Sequence, residues 1–165
     1  MLLIRSIEPA DSLESITILL HRAYARLGAM GLNYTAVDQT PAMTSERMNG
    51  GHCFVAHWDG QLAGTVLVKP PDPTSECEYF VRDSVASLRQ FAVDPDLQGR
   101  GIGHALVEAC ENWACQSGHR ELALDTAEPA IHLVNLYQGM GFAHVGFVQW
   151  PGKSYRSVVM SKSLR

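Results

Sequence analysis

The segment DPDLQGRGIGHAL (94–106) places three glycines and one arginine within the six residues Gln98 to Gly103. No other stretch constrains the fold as strongly, because one periodicity gives way to another across it. Upstream, VASLRQFAV (85–93) reads as a strand, ended at Asp94-Pro95 because proline disfavours helix at the preceding residue. Downstream, apolar residues recur at Ile102, Ala105, Leu106, Ala109, Cys110, Trp113 and Ala114, one continuous helix face that Gly118 closes. A glycine turn between strand and helix suits a phosphate, which takes the unpaired N–H groups and the positive end of the helix dipole.

Three other readings of these glycines are weaker. One glycine suffices to turn a corner, whereas each glycine in a helix costs about 1 kcal/mol relative to alanine. Gly101 and Gly103 at the head of a strongly patterned helix therefore need a reason. A P-loop requires Gly-Lys-Ser/Thr, and no lysine lies nearby. A dinucleotide fold requires Gly-x-Gly-x-x-Gly directly after a strand. Gly99 and Gly101 supply the first two positions, but His104 occupies the third, and Asp94 to Gln98 separate Val93 from Gly99. Asp125 alone imitates the ribose-binding acid of that fold.

The rest of the chain supplies the frame. LLIRSIEP reads as a first strand, followed by a helix with Leu13, Ile16, Leu20 and Tyr24 on one face and Asp11 as its cap. TSERM (44–48) reads as a short second helix, with Thr44, Ser45 or Glu46 in its first turn. Asp59-Gly60 between two β-rich runs predicts a tight hairpin, and DPTSECEYFVRDS (72–84) reads as a loop. RELALDTAE is a further strand. A helix from Pro129 to about Met140 and two strands joined by a Pro-Gly turn complete the chain. This order predicts one α/β domain over 1–165, a mixed twisted sheet flanked by helices.

With 46% hydrophobic and 18% charged residues, 165 residues suffice for a single soluble core. The net charge of −4, without runs of like charge, argues against a nucleic-acid surface and favours a cationic or neutral small substrate. Cys53, Cys77, Cys110 and Cys115 form no Cys-x-x-Cys pair and read as reduced thiols of a cytoplasmic protein. The opening MLLIRSIEPAD is charged too early for a signal peptide or a membrane span. The histidines show no metal-ligand spacing, and no metal is expected.

Gln98-Gly99-Arg100-Gly101-Ile102-Gly103 resembles the Gln/Arg-x-x-Gly-x-Gly/Ala signature of the GNAT superfamily of N-acetyltransferases. LYQGMGF (136–142) is similar to the ending of that superfamily's last helix, and the element order matches over nearly the whole chain. The resemblance implies a mostly antiparallel sheet with a central parallel pair, and acetyl-CoA as cosubstrate. It also implies a pyrophosphate site at the amides of Gln98, Gly99, Arg100, Gly101, Ile102, Gly103 and His104. A pantetheine arm would pair like an added strand with Phe91, Ala92 and Val93, an amide near Val93 holding the developing oxyanion. Tyr137 matches the tyrosine that protonates the departing thiolate, although it also fits the core stripe Ala130, Leu133, Val134, Tyr137.

Two departures stand out. Ala130 replaces an asparagine often found seven residues before the tyrosine, and the strand 85–93 carries no glutamate base. Glu78 and Asp83 are loop candidates for that base, and Gln90 for ordering a water; the base stays unnamed. Tyr34, Asp38 and Tyr79 are candidates for an acceptor pocket. The expected function is direct acetyl transfer to a primary amine, with no covalent enzyme intermediate. The rival is a non-catalytic acyl-CoA sensor of the same fold. No membrane or nucleic-acid partner is expected, and relatives often pair as homodimers.

Overall fold

A computed structural model describes residues 1–165. Seven strands form one sheet: β1 (Leu2–Ser6), β2 (His52–Trp58), β3 (Gln61–Lys69), β4 (Val85–Val93), β5 (Glu121–Ala127), β6 (Ala143–Val148) and β7 (Ser157–Ser163). Their spatial order is β1-β2-β3-β4-β5-β7-β6, and only β4 and β5 run parallel. The helices are α1 (Leu13–Ala29), α2 (Pro41–Met48), α3 (Glu78–Val81), α4 (Ile102–Gln116) and α5 (Ile131–Gly139). This is the mixed, mostly antiparallel α/β architecture expected from the sequence.

Alternation along the strands assigns the helices to the two faces. Ala86 and Leu88 of β4, Leu122 and Leu124 of β5, and Val158 and Met160 of β7 share a core with α4. Val85, Ala123 and Val159 face the other way, against Phe80 of α3. Ile16, Leu19 and Leu20 of α1 pack on that same side of the sheet, over Val55 and Ala92.

Local chemistry moved several boundaries. Ser12 caps α1 by accepting from Ser15 N–H, because Asp11 is engaged elsewhere, in two 2.8 Å bonds from Arg5. Those bonds hold the Asp11 carboxyl down at about 2. The second helix begins three residues before the expected Thr44, with Thr40 as cap and Pro41 in the first turn. Thr44 is thereby interior to α2 and bonds Thr17 of α1 at 2.7 Å. The expected loop 72–84 contains α3, anchored by buried Phe80. The expected Pro-Gly turn falls at Pro151-Gly152, closed by a bond from Lys153 N–H to the Trp150 carbonyl, within an eight-residue link, 149–156, between β6 and β7. The hairpin falls at Asp59-Gly60 as expected, both residues having positive φ (49° and 81°) as a type I′ turn demands.

Gly64 of β3 lets α4 sit close to the sheet. A β-carbon there would lie 2.9 Å from Leu106 Cδ1 and 3.0 Å from the Ala92 carbonyl oxygen. Gly64→Val should therefore destabilise the protein by about 1–3 kcal/mol. In a thermal melt this reads as roughly 2–4 °C lost per kcal/mol.

Candidate active site

The site originates in a fault in the sheet. β4 and β5 pair only at Val85–Glu121, Ala86–Leu122 and Ser87–Ala123, although both strands continue beyond these positions. A register shift against β3 falls between the Leu67–Arg89 and Thr65–Ala92 pairs, so β4 carries a bulge at Gln90 and Phe91. Gln90 takes φ = +46°, uncommon for a residue with a side chain.

Buried hydrogen bonds hold this strained residue in place. The Gln90 side-chain carbonyl accepts from Gln39 Nε2 at 2.6 Å, and Gln39 itself is fully buried. The bulge also inverts the alternation. Leu88 faces α4, but beyond the bulge Phe91 and Val93 pack toward α4 while Ala92 turns to α1.

Where the strands part, a cavity of about 570 Å³ opens. Phe91 lines it from β4, Asp125 and Thr126 from β5, and Tyr137 from α5. The Tyr137 ring stands 6.4 Å from the Phe91 ring across the gap and 6.0 Å from that of Phe142. Burial raises the Tyr137 hydroxyl well above an ordinary phenol, and the nearby Tyr24, Tyr34 and Asp125 add to the effect. The hydroxyl thus stays protonated through the neutral range. Tyr24 donates to the Phe91 carbonyl at 2.9 Å, tying α1 to the bulge. Tyr34 accepts from Ala127 N–H and bonds Thr126 Oγ1, both at 2.8 Å, and stacks on Tyr155.

The glycine turn lies past the C-terminal end of β4. After Leu97 N–H, which bonds the Asp94 carbonyl, the next backbone donor with an acceptor is Ala105 N–H, bonded to Gly101. The N–H groups from Gln98 to His104 are thus free of protein partners. Gly99 and Gly101 have φ of +77° and +79°, conformations that glycine adopts at no steric cost. Gly101 occupies the cap position of α4 with no side-chain cap, leaving the helix terminus open. A β-carbon on Gly103 would meet Phe91 Cζ at 3.3 Å, so this glycine lets α4 start close against β4.

Asp94 fixes the turn from below. Burial pushes its carboxyl up, but bonds from Arg22 and Asp96 N–H together outweigh this and hold it below the usual carboxylate range. Arg100 and His104 are exposed, and the Arg100 guanidinium lies 5.3 Å from the Trp58 ring centre.

The structure therefore separates the expected site residues into two groups. Phe91 and Tyr137 meet at the cavity, while Gln98 to His104 form a separate cradle beyond Val93. Of the acceptor candidates, Tyr34 lines the cavity, Asp38 is exposed outside it, and Tyr79 is bonded to Glu121. Glu78 and Asp83 are exposed and do not line the cavity, and Ala130 is fully buried at the head of α5. Arg47, Arg89, Asp125 and Trp150 line the cavity although the sequence reading assigned them no place in this site. Asp125 accepts from Arg89 at 2.8 Å and from the Trp150 indole at 2.7 Å.

A mixed sheet opened at its single parallel pair, with helices on both faces, is the class of fold at hand. The chain belongs to the Acetyltransferase (GNAT) family, whose model matches residues 16–142. It is accordingly an acyltransferase. One curated relative, the S-(2-succino)cysteine N-acetyltransferase of Bacillus subtilis (strain 168), is 27% identical over 158 residues, covering 94% of this chain and 91% of that protein. The N-acetyltransferase 8B of Homo sapiens is 31% identical over 136 residues, 81% of this chain but 56% of that longer protein. A GNAT family acetyltransferase from Elizabethkingia anophelis, solved with acetyl-CoA bound, superposes with a TM-score of 0.70 at 15% identity. The superposition covers 99% of this chain and 98% of that one. At that identity the likeness is one of fold.

Proposed function

We propose that residues 1–165 act as one domain that transfers the acetyl group of acetyl-CoA to a primary amine by direct attack on the thioester. The observation carrying this reading is that the unpaired stretch of β4 and β5 opens into a cavity where Tyr137 faces Phe91. The cosubstrate supplies an activated acyl group and a thiol leaving group. Everything else is work for the chain.

The free amides of Gln98 to His104 suit a pyrophosphate, helped by the helix dipole and the Arg100 guanidinium. Phe91, Ala92 and Val93 offer strand backbone to an extended pantetheine arm. An amide near Val93 holds the developing oxyanion. An acceptor ammonium has a pKa near 10 and must lose a proton to water before it attacks. As the tetrahedral adduct collapses its nitrogen gives a second proton to water, the C–S bond breaks, and the Tyr137 hydroxyl donates its proton to the thiolate and is then reprotonated from solvent.

A thermal-shift titration with acetyl-CoA, CoA and NADH side by side tests the cosubstrate. Ligand at a hundred times its dissociation constant stabilises the native state by about 2.7 kcal/mol. CoA species should raise the melting temperature and NADH should not. Amine-stimulated thiol release then tests transfer. Acetyl-CoA binding without it would leave only the sensor reading, and a shift with NADH alone would sink both.

A further inference from the structure

The charge of the cavity is opposite to that of the chain. Arg47, Lys69, Arg89 and Lys153 line it against three carboxylates, Asp72, Glu76 and Asp125, in a protein of net charge −4. Pairing does not cancel the excess. Arg89 is matched by Asp125 at 2.8 Å, whereas Asp72 is exposed and turned to Thr74, and Glu76 is exposed. Arg47, half-buried on α2, forms no salt bridge; its one protein bond is from Nη1 to the Gln39 side-chain carbonyl at 2.7 Å. Gln39 in turn holds Gln90 at the bulge, so the guanidinium is fixed relative to the site of transfer. Lys153 donates to the Asn33 carbonyl and Thr35 Oγ1, neither of them charged.

We propose that the acceptor amine carries a carboxylate, as an amino acid or its derivative does, and that Arg47 receives this carboxylate with Lys69 and Lys153 flanking it. This rests on the acetyl-transfer reading above. A planar guanidinium with four N–H donors unspent matches a carboxylate in two-point geometry. Burial, first, and a neighbouring arginine, second, disfavour the charge on Lys69 and Lys153; Asp72 offsets this in part at Lys69, and Asp38 and Asp125 at Lys153, and a bound anion adds to that relief. Diamines and other polycationic acceptors would bring like charge into the same space. The mild preference for cationic or neutral substrates read from net charge is thus opposed by the local field.

The test measures thiol release from acetyl-CoA with matched acceptors: free amino acids, their carboxamides, and the same amines lacking the carboxyl group. Among these, amino acids should lead by about tenfold or more in kcat/KM. Arg47→Gln should raise KM for carboxylate acceptors by about tenfold to a hundredfold. The same variant should cost carboxylate acceptors at least about tenfold more than their matched carboxamides, with CoA affinity followed by calorimetry alongside, and Arg47→Lys should recover part of the loss. Equal turnover of carboxamides, faster turnover of diamines, or an Arg47→Gln loss shared by every acceptor overturns the inference. So does a protein that binds CoA yet acetylates no carboxylate acceptor. Failure to bind CoA at all overturns the acetyl-transfer reading beneath it.

Discussion

Tyr137→Phe should lower kcat by about a hundredfold while KM for acetyl-CoA and for the acceptor stays within about twofold. General acid catalysis contributes roughly 10²–10⁴, and a thiolate is a fair leaving group unaided, so the lower end applies. Phenylalanine keeps the ring that packs against Phe91 and Phe142. Stability should change little, since no protein group hydrogen-bonds the hydroxyl. Steady-state thiol release with a saturating acceptor checks the split between kcat and KM. Unchanged kcat, with acyl transfer shown by single-turnover kinetics to be rate-limiting, would remove the acid role. The sign of the pH effect is also fixed. A phenol whose folded pKa is raised lends stability that is present in full below about pH 10, its unfolded pKa. That stability is lost as pH rises further, and burial puts Tyr24 and Tyr155 in the same position. Activity should therefore show no falling limb from Tyr137 below pH 10.

Gly101→Val should weaken CoA binding by about a hundredfold. Gly101 sits at φ = +79°, where a side chain costs roughly 1–2 kcal/mol and a β-branched one more. The strain is relieved only by turning the peptide out of the left-handed region, which re-aims the Ile102 and Gly103 amides. The same substitution at Gly118, φ = +85° at the far end of α4, is the control. Both variants should lose comparable melting temperature, and only Gly101→Val should lose CoA affinity by calorimetry. Equal affinities in the two variants would mean that the turn is merely a turn.

The sequence is most legible where one local signal decides. Asp59-Gly60 can hardly be anything but a hairpin turn, and the stripe from Ile102 to Ala114 leaves α4 no alternative. The open glycine turn ahead of α4 was legible for the same reason, since its glycines and its helix are contiguous. The Gln90 bulge was not. VASLRQFAV reads as one unbroken strand, and the bond that holds Gln90 at its positive φ comes from Gln39, 51 residues away. Arg89 left a faint signal as the one charge in that strand, but its partner Asp125 follows from the parallel register of β4 and β5. Arg47 gave none, because a basic residue in the last turn of a short helix is what any exposed helix shows. Asp11 misled because it and Ser12 are both good caps, and the Arg5 bonds that settle the choice are tertiary.

The early end of the β4–β5 ladder has a cost outside catalysis. An edge strand invites foreign strands, and proteins ordinarily keep such edges at the margins, short or charged. Here one lies in the middle of the sheet, along the neutral run Phe91, Ala92, Val93. The slot proposed above for an extended pantetheine would equally take any unfolded segment of similar shape, including one from a neighbouring molecule. Cosubstrate and chaperone then become one role: protein held without CoA should aggregate faster on mild heating than its higher-melting complex would suggest, and cellular CoA would help to govern how long the enzyme lasts.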